Sequence, residues 1–172
     1  MHRFDPQSLK QKLEALPHVS RVAFALACAD RLAEFLGNYI EPAIAARNVA
    51  RQFVLGSPVA SPELAELAAT LEGSPLLDCD DVAASAYLLD CLRTNDPQAA
   101  VWTAQRAYDA RDLAAQEAMS ISTYTPEIEA TLLASPAVQA ELASQITDIN
   151  ELIGSAGAAG RIASRAIGGT HA

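Results

Sequence analysis

The chain has 172 residues, of which 51% are apolar but only 5% aromatic, and it carries a formal net charge of −9. That length suits one domain with a sizeable core, and an alanine-rich, aromatic-poor composition favours helices over strands. So acidic a body repels phosphates, which argues against nucleic-acid binding and for a basic protein partner drawn in by the opposite field.

All 21 acidic residues lie before Gly154, while Arg161 and Arg165 follow it. Cys28, Cys79 and Cys91 are odd in number and widely spaced, the pattern of small buried hydrophobes in a reducing compartment. The opening MHRFDPQSLKQ has no apolar stretch, so no secretory signal is read. The most apolar run, Val22 to Leu36, is interrupted by Asp30, Arg31 and Glu34 and is too short and too charged to span a bilayer. These features predict a soluble, cytoplasmic protein.

Taken in order, the punctuation is that of consecutive helices. Prolines follow a capping residue at Asp5-Pro6, Ser61-Pro62, Asp96-Pro97, Thr125-Pro126 and Ser135-Pro136, and each pair is a helix-start signal. Helix one is predicted from Pro6 to Leu16, with Leu9, Leu13 and Leu16 inward. Helix two runs from about Ser20 to Leu36, with Phe24, Cys28, Leu32 and Phe35 on one face and Gly37 as its terminator. A third helix follows Glu41-Pro42 and extends to Val54, with Ile44, Val49 and Phe53 apolar, and a short fourth covers Pro62 to Leu71.

The two central helices are predicted at 79–94 and 97–118. Asp78 is placed to cap the first, with Asp81 three residues on, and Val82, Ala86, Leu89 and Leu92 form its apolar stripe. Thr94-Asn95-Asp96-Pro97 is a corner short enough to make the two helices antiparallel neighbours. Met119 to Tyr124 reads as a connector. Helix seven, Pro126 to Ala134, carries Ile128, Leu132 and Leu133. Helix eight, Pro136 to Ile153, places Val138, Leu142, Ile146, Ile149 and Ile153 at helical spacing. Residues 154–172 are rich in Gly, Ala and Ser and read as a flexible tail, in which Arg161 to Ile167 has the pattern of a short helical turn. The expected architecture is an all-α, single-domain bundle of seven or eight helices around the 79–94 and 97–118 pair.

Chemistry is sparse. The acidic knot of Asp78, Asp80 and Asp81 lacks the glycine and glutamate that a calcium loop requires, because Ala83 and Leu89 stand at those positions. Carboxylates at an exposed helix start are explained by the helix dipole and double as contacts for a basic partner. On the long helix Trp102, Arg106, Asp109 and Leu113 share one side. An amphipathic helix with an inward-packed aromatic accounts for this pattern; the sharper reading is a groove wall in which Trp102 and Tyr108 flank an Arg106–Asp109 ion pair. His2, His18 and His171 are isolated from other ligand types, so no metal is expected. No phosphate loop, nucleophile elbow or HExxH is present, and neither a catalytic residue nor a cofactor is assigned. The candidate partner-binding residues are therefore Asp78, Asp80, Asp81, Trp102, Arg106 and Asp109.

Three segments carry a resemblance: FDPQSLKQKLEALPHVSRVAFALACADRL, LLDCDDVAASAYLLDCLRTNDPQAAVWTAQRAYDA and SPAVQAELASQITDINELI. Together they resemble a family of small all-helical bacterial proteins, largely of unknown function, that is related to immunity proteins of polymorphic toxin systems. The resemblance covers most of residues 4 to 153 and does not extend to the glycine-rich end. It implies an all-α fold and a protein-binding role, with a basic toxin domain as partner, and supplies no catalytic motif to carry over. A cytosolic scaffold or housekeeping role, and a small-ligand enzyme using a groove beside Trp102, are the alternatives.

Overall fold

The protein's structure is a computed structural model that describes residues 1–33, 41–121, 123 and 125–165. Among these residues it is all helical, with nine helices and no strand. Four of the five cap-then-proline signals work as side-chain chemistry dictates. Asp5 accepts from the backbone N–H groups of Gln7 and Ser8 at 3.1 and 3.0 Å and opens α1 (Pro6–Glu14). Asp96 opens α6 (Pro97–Ala118), Thr125 opens α7 (Pro126–Leu133) and Ser135 opens α8 (Pro136–Gly154), each accepting from a first-turn amide. Such caps satisfy amides that have no intrahelical partner.

The remaining starts depart from expectation. Pro17 is the N-cap of α2 (His18–Arg31), which therefore begins earlier than Ser20. Its predicted continuation through Glu34, Phe35 and Leu36 to Gly37 lies outside the described residues. In α4 (Ser61–Glu72) the cap is Ala60 and Ser61 is already helical. Asp78 does not cap α5 (Asp80–Thr94): Cys79 does, without a side-chain hydrogen bond. The acidic first turn of α5, Asp80 and Asp81, instead complements the positive end of the helix dipole.

The core forms where apolar faces converge. α5 is buried around most of its circumference, from Asp81 to Ala86 and at Leu88, Leu89, Cys91 and Leu92, and it packs on α2, α6, α4 and α3 (Glu41–Val54). A helix apolar on all sides must be enclosed. α6, which packs on α5, α2, α8 and α1, turns mostly alanines into the core, namely Ala99, Ala100, Ala104, Ala107 and Ala110, whose small side chains let neighbouring backbones approach. The α5–α6 corner is tight: Asn95 adopts the left-handed conformation at φ 59°, and Arg21 of α2 donates to both its backbone and side-chain oxygens at 2.9 Å. A smaller apolar cluster joins Leu133, Val138 and Leu142 to Phe4 and Tyr108.

The segment read as a tail contains α9 (Ala158–Arg165). Ala158, Ala159, Ile162 and Ala163 are buried in the main core, and the helix packs on α2, α3 and α8. The helical pattern noted over 161–167 is thus realised through Arg165, and residues 166–172, including His171, lie outside the described residues. No helix among the described residues is long and apolar enough to cross a membrane.

Two of the three cysteines fit the buried reading and one does not. Cys28 and Cys91 are buried, whereas Cys79, at the start of α5, is exposed. Burial pushes the Cys91 thiol up to about 12 and raises that of Cys28 as well. Since the thiolate is the reactive form, the native protein is expected to titrate one fast thiol with Ellman's reagent, and all three only in denaturant. Three fast thiols without denaturant would show that the α2–α5 core is open.

Candidate functional site

The predicted site residues divide between surface and interior. Trp102 lies on the outer side of α6 and is 44% exposed, so the inward-packed reading of this aromatic is wrong. Its ring rests against Tyr87 of α5, with centroids 5.3 Å apart and an interplanar angle of 46°. The Arg106 guanidinium does not pair with Asp109; it reaches across to Asp80 at 3.2 Å. The inter-helix partner wins because Asp80 stands at the facing end of α5, whereas an i,i+3 pair on one helix surface contributes only a few tenths of a kcal/mol. Burial works against the Arg106 charge, but the Tyr87 hydroxyl and the Asp80 carboxylate outweigh it and raise its pKa.

Asp109 accepts from the Gln105 side chain at 2.7 Å. Burial raises its pKa, the Gln105 hydrogen bond and the nearby Arg106 cation work the other way, and Asp80 and Asp112 add to the rise. Asp109 is thus a half-buried carboxylate that senses charges of both signs. Tyr108 does not flank the site with Trp102. It points elsewhere around the helix and stacks on Phe4 at 5.6 Å, because six residues turn a helix through more than one and a half revolutions.

The acidic knot is also split. Asp78 is exposed ahead of α5, Asp80 is half-buried in its ion pair, and Asp81 is only 8% exposed. Asp80 and Asp81 therefore do not form an exposed acidic pair at the helix start. What the structure gathers is Trp102, Tyr87, Arg106, Asp80, Asp109 and Gln105, with Tyr87 and Gln105 as the members that sequence reasoning missed. Tyr87 was legible in principle, as the one aromatic on an otherwise aliphatic α5.

The sign of the Asp109 shift can be tested. A carboxyl whose folded pKa exceeds its unfolded value favours the folded state most when protonated. That contribution is therefore present below the ordinary carboxylate range, near 3.9 for Asp, and is lost as pH rises through it toward the folded value. Carboxyl-detected NMR should place Asp109 above the ordinary range. Asp80→Asn should lower it, since it removes a negative neighbour and releases the Arg106 cation. An unmoved Asp109 would mean that the two carboxylates do not sense each other.

A second, interior cluster went unread. Arg31, the last residue of α2, donates from Nε and Nη2 to the two Glu141 oxygens at 2.9 and 3.1 Å and from Nη1 to Asp148 at 2.7 Å. Burial opposes its charge, yet the adjoining Cys28 sulfur and the two carboxylates hold its pKa above the ordinary value. Gln145 bridges Glu141 and the Ala104 carbonyl at 2.9 and 3.0 Å, and Arg165 of α9 reaches Asp148 at 3.5 Å. The available signal was Glu141, Gln145 and Asp148 at i, i+4 and i+7, on the buried side of α8. Nearby, Arg51 pairs with Asp30 at 2.8 Å. Arg47 is 4% exposed and its Nε and Nη2 have no hydrogen-bond partner among the described residues; burial lowers its pKa against the pull of Asp30 and Asp81.

Among the described residues no group of three His, Cys, Asp or Glu side chains is placed to hold a metal ion. His18 bonds the Cys91 carbonyl at 3.0 Å and packs on Phe53. The interior ion cluster is a cross-brace between α2, α8 and α9, while the Trp102 cluster offers its groups to solvent and is the candidate site. Comparison with known proteins finds no matching family model, and neither a curated protein nor a solved structure matches the chain significantly.

Proposed function

We propose that this protein is a non-enzymatic binding domain, built on α5 and α6 as its central antiparallel pair, that engages a basic protein partner through the surface around Trp102. The observation that carries the reading is Trp102 itself: the sole tryptophan stands 44% exposed on a rigid helix, braced by Tyr87 and bordered by the Arg106–Asp80 pair. Tryptophan, tyrosine and arginine are the residues that most often dominate interface energetics, and a polar rim around an apolar centre is the usual interface plan. The half-buried Asp109 and exposed Asp78 supply negative charge, which a partner's Lys or Arg complements. With the resemblance noted above, the concrete form of the proposal is an immunity protein that neutralises a basic toxin domain in the cytoplasm.

The test is a pull-down with the product of the adjacent gene, followed by association rates at low and high salt. Association should slow as salt rises, because screening weakens steering. Trp102→Ala should weaken the complex by about 2 kcal/mol or more, roughly thirtyfold in Kd, with the melting temperature nearly unchanged. Asp78→Asn combined with Asp109→Asn should slow association. A complex indifferent to Trp102 and to salt would overturn this reading, and failure to capture the adjacent product would leave the scaffold role.

A further inference from the structure

The surface opposite in character to the Trp102 face is a cleft between the N-terminal segment and α8. Phe4, Leu9, Leu142, Ile146 and Ile149 form its apolar wall, and Arg3 and Lys12 stand at its rim. Its volume is about 130 Å3, roughly ten times what one water requires and well below the ~300 Å3 at which pockets for drug-sized ligands begin. The occupant is therefore small.

Charge selects its class. The chain has 12 cationic side chains against 21 acidic ones, yet two cations, Arg3 and Lys12, are among the residues that line this cleft. The one carboxylate in the lining, Asp5, is engaged by the Gln7 and Ser8 amides. Gln145 also borders the cleft, and its amide nitrogen is held by Ala104 and Glu141. The wall is fixed before any ligand arrives. The His2 backbone donates to and accepts from the Gln139 side chain at 2.7 and 2.9 Å, and Phe4 is stacked on Tyr108. Such pinning lowers the ordering cost of binding.

We infer that this cleft binds a short aliphatic carboxylate, its tail along Leu9, Ile146 and Ile149 and its carboxylate between Arg3 and Lys12. The tail removes apolar surface from water, and the carboxylate gains charge-assisted hydrogen bonds from the two cations. The inference is independent of the Trp102 surface.

The experiment is an NMR titration of the full chain, observing the methyl groups of Leu9, Leu142, Ile146 and Ile149, with three six-carbon probes: hexanoate, hexanol and hexylamine. Hexanoate should shift these methyls saturably and bind roughly tenfold more tightly than hexanol, the effect of charged hydrogen bonds, while hexylamine should bind most weakly. Arg3→Gln with Lys12→Gln should bring hexanoate down to the hexanol affinity and leave hexanol unchanged. Both side chains are exposed, so a thermal melt superimposable on that of the parent is expected. Absence of saturable shifts with hexanoate, or hexanol or hexylamine binding as well as hexanoate, would overturn the inference on the unaltered protein alone.

Discussion

Arg31→Met is expected to destabilise the protein by roughly 3–5 kcal/mol, the cost of stranding buried charge by removing one partner of an interior ion pair. Glu141 is 3% exposed and Asp148 6%, and both lean on the Arg31 guanidinium. Without it, among the described residues, Glu141 keeps the Gln145 hydrogen bond and Asp148 the longer contact with Arg165. Arg31 itself retains some solvent contact, its side chain being 23% exposed, which favours the lower half of the range. Urea denaturation at neutral pH gives the measurement. The companion variant, Arg31→Met with Glu141→Met and Asp148→Leu, should recover most of the loss, since apolar groups of similar volume often replace a buried ion cluster at no net cost. A loss below about 1 kcal/mol, the size of an ordinary point-mutation effect, would show that the cluster is hydrated and braces nothing.

Leu89→Ala should cost about 2–5 kcal/mol, combining lost transfer free energy with the cavity left behind. Leu89 is fully buried at mid-α5, where α2, α3, α4 and α6 all converge on the helix. Surrounding elements that are themselves pinned, as the α5–α6 corner is by Arg21 and Asn95, cannot collapse far into the space. Denaturant melts with an unchanged slope and a lower midpoint would report lost stability alone. An effect under about 1 kcal/mol would mean that the Val82–Leu89–Leu92 stripe is not the core.

The contrast between these sites and the Trp102 surface bears on function. Arg31, Glu141 and Asp148 spend their hydrogen-bonding capacity on one another and tie α2 to α8, so their removal should register in stability. Trp102, Arg106 and Asp109 keep solvent-facing atoms, so Trp102→Ala should register in binding and little in the melt. A variant of Trp102 that unfolds the protein would place this residue with the core and remove the main support for the proposed interface.

What the sequence determined by itself was local. Proline and capping side chains act within a turn of where they stand, so α6 begins and ends at the predicted residues, and the starts of α1, α7 and α8 follow from Asp5, Thr125 and Ser135. Alanine abundance and the scarcity of aromatic and β-branched runs were enough for the all-helical class. Which side of each helix turns inward was decided by tertiary packing. In an alanine-rich chain a small apolar residue suits a close helix contact better than a large one, so Ala43, Ala46 and Ala50 are buried while Ile44 is 47% exposed; on α8 the inward side takes Leu152 and leaves Ile153 outside. The partners of charged residues were likewise beyond local reach: Arg106 takes Asp80 from the neighbouring helix, and Arg31 takes Glu141 and Asp148 from more than a hundred positions away. The glycine-bearing stretch around Ile162 becomes α9 for the same reason. Its own propensity is weak, and burial of Ala158, Ala159, Ile162 and Ala163 against the bundle supplies what propensity lacks.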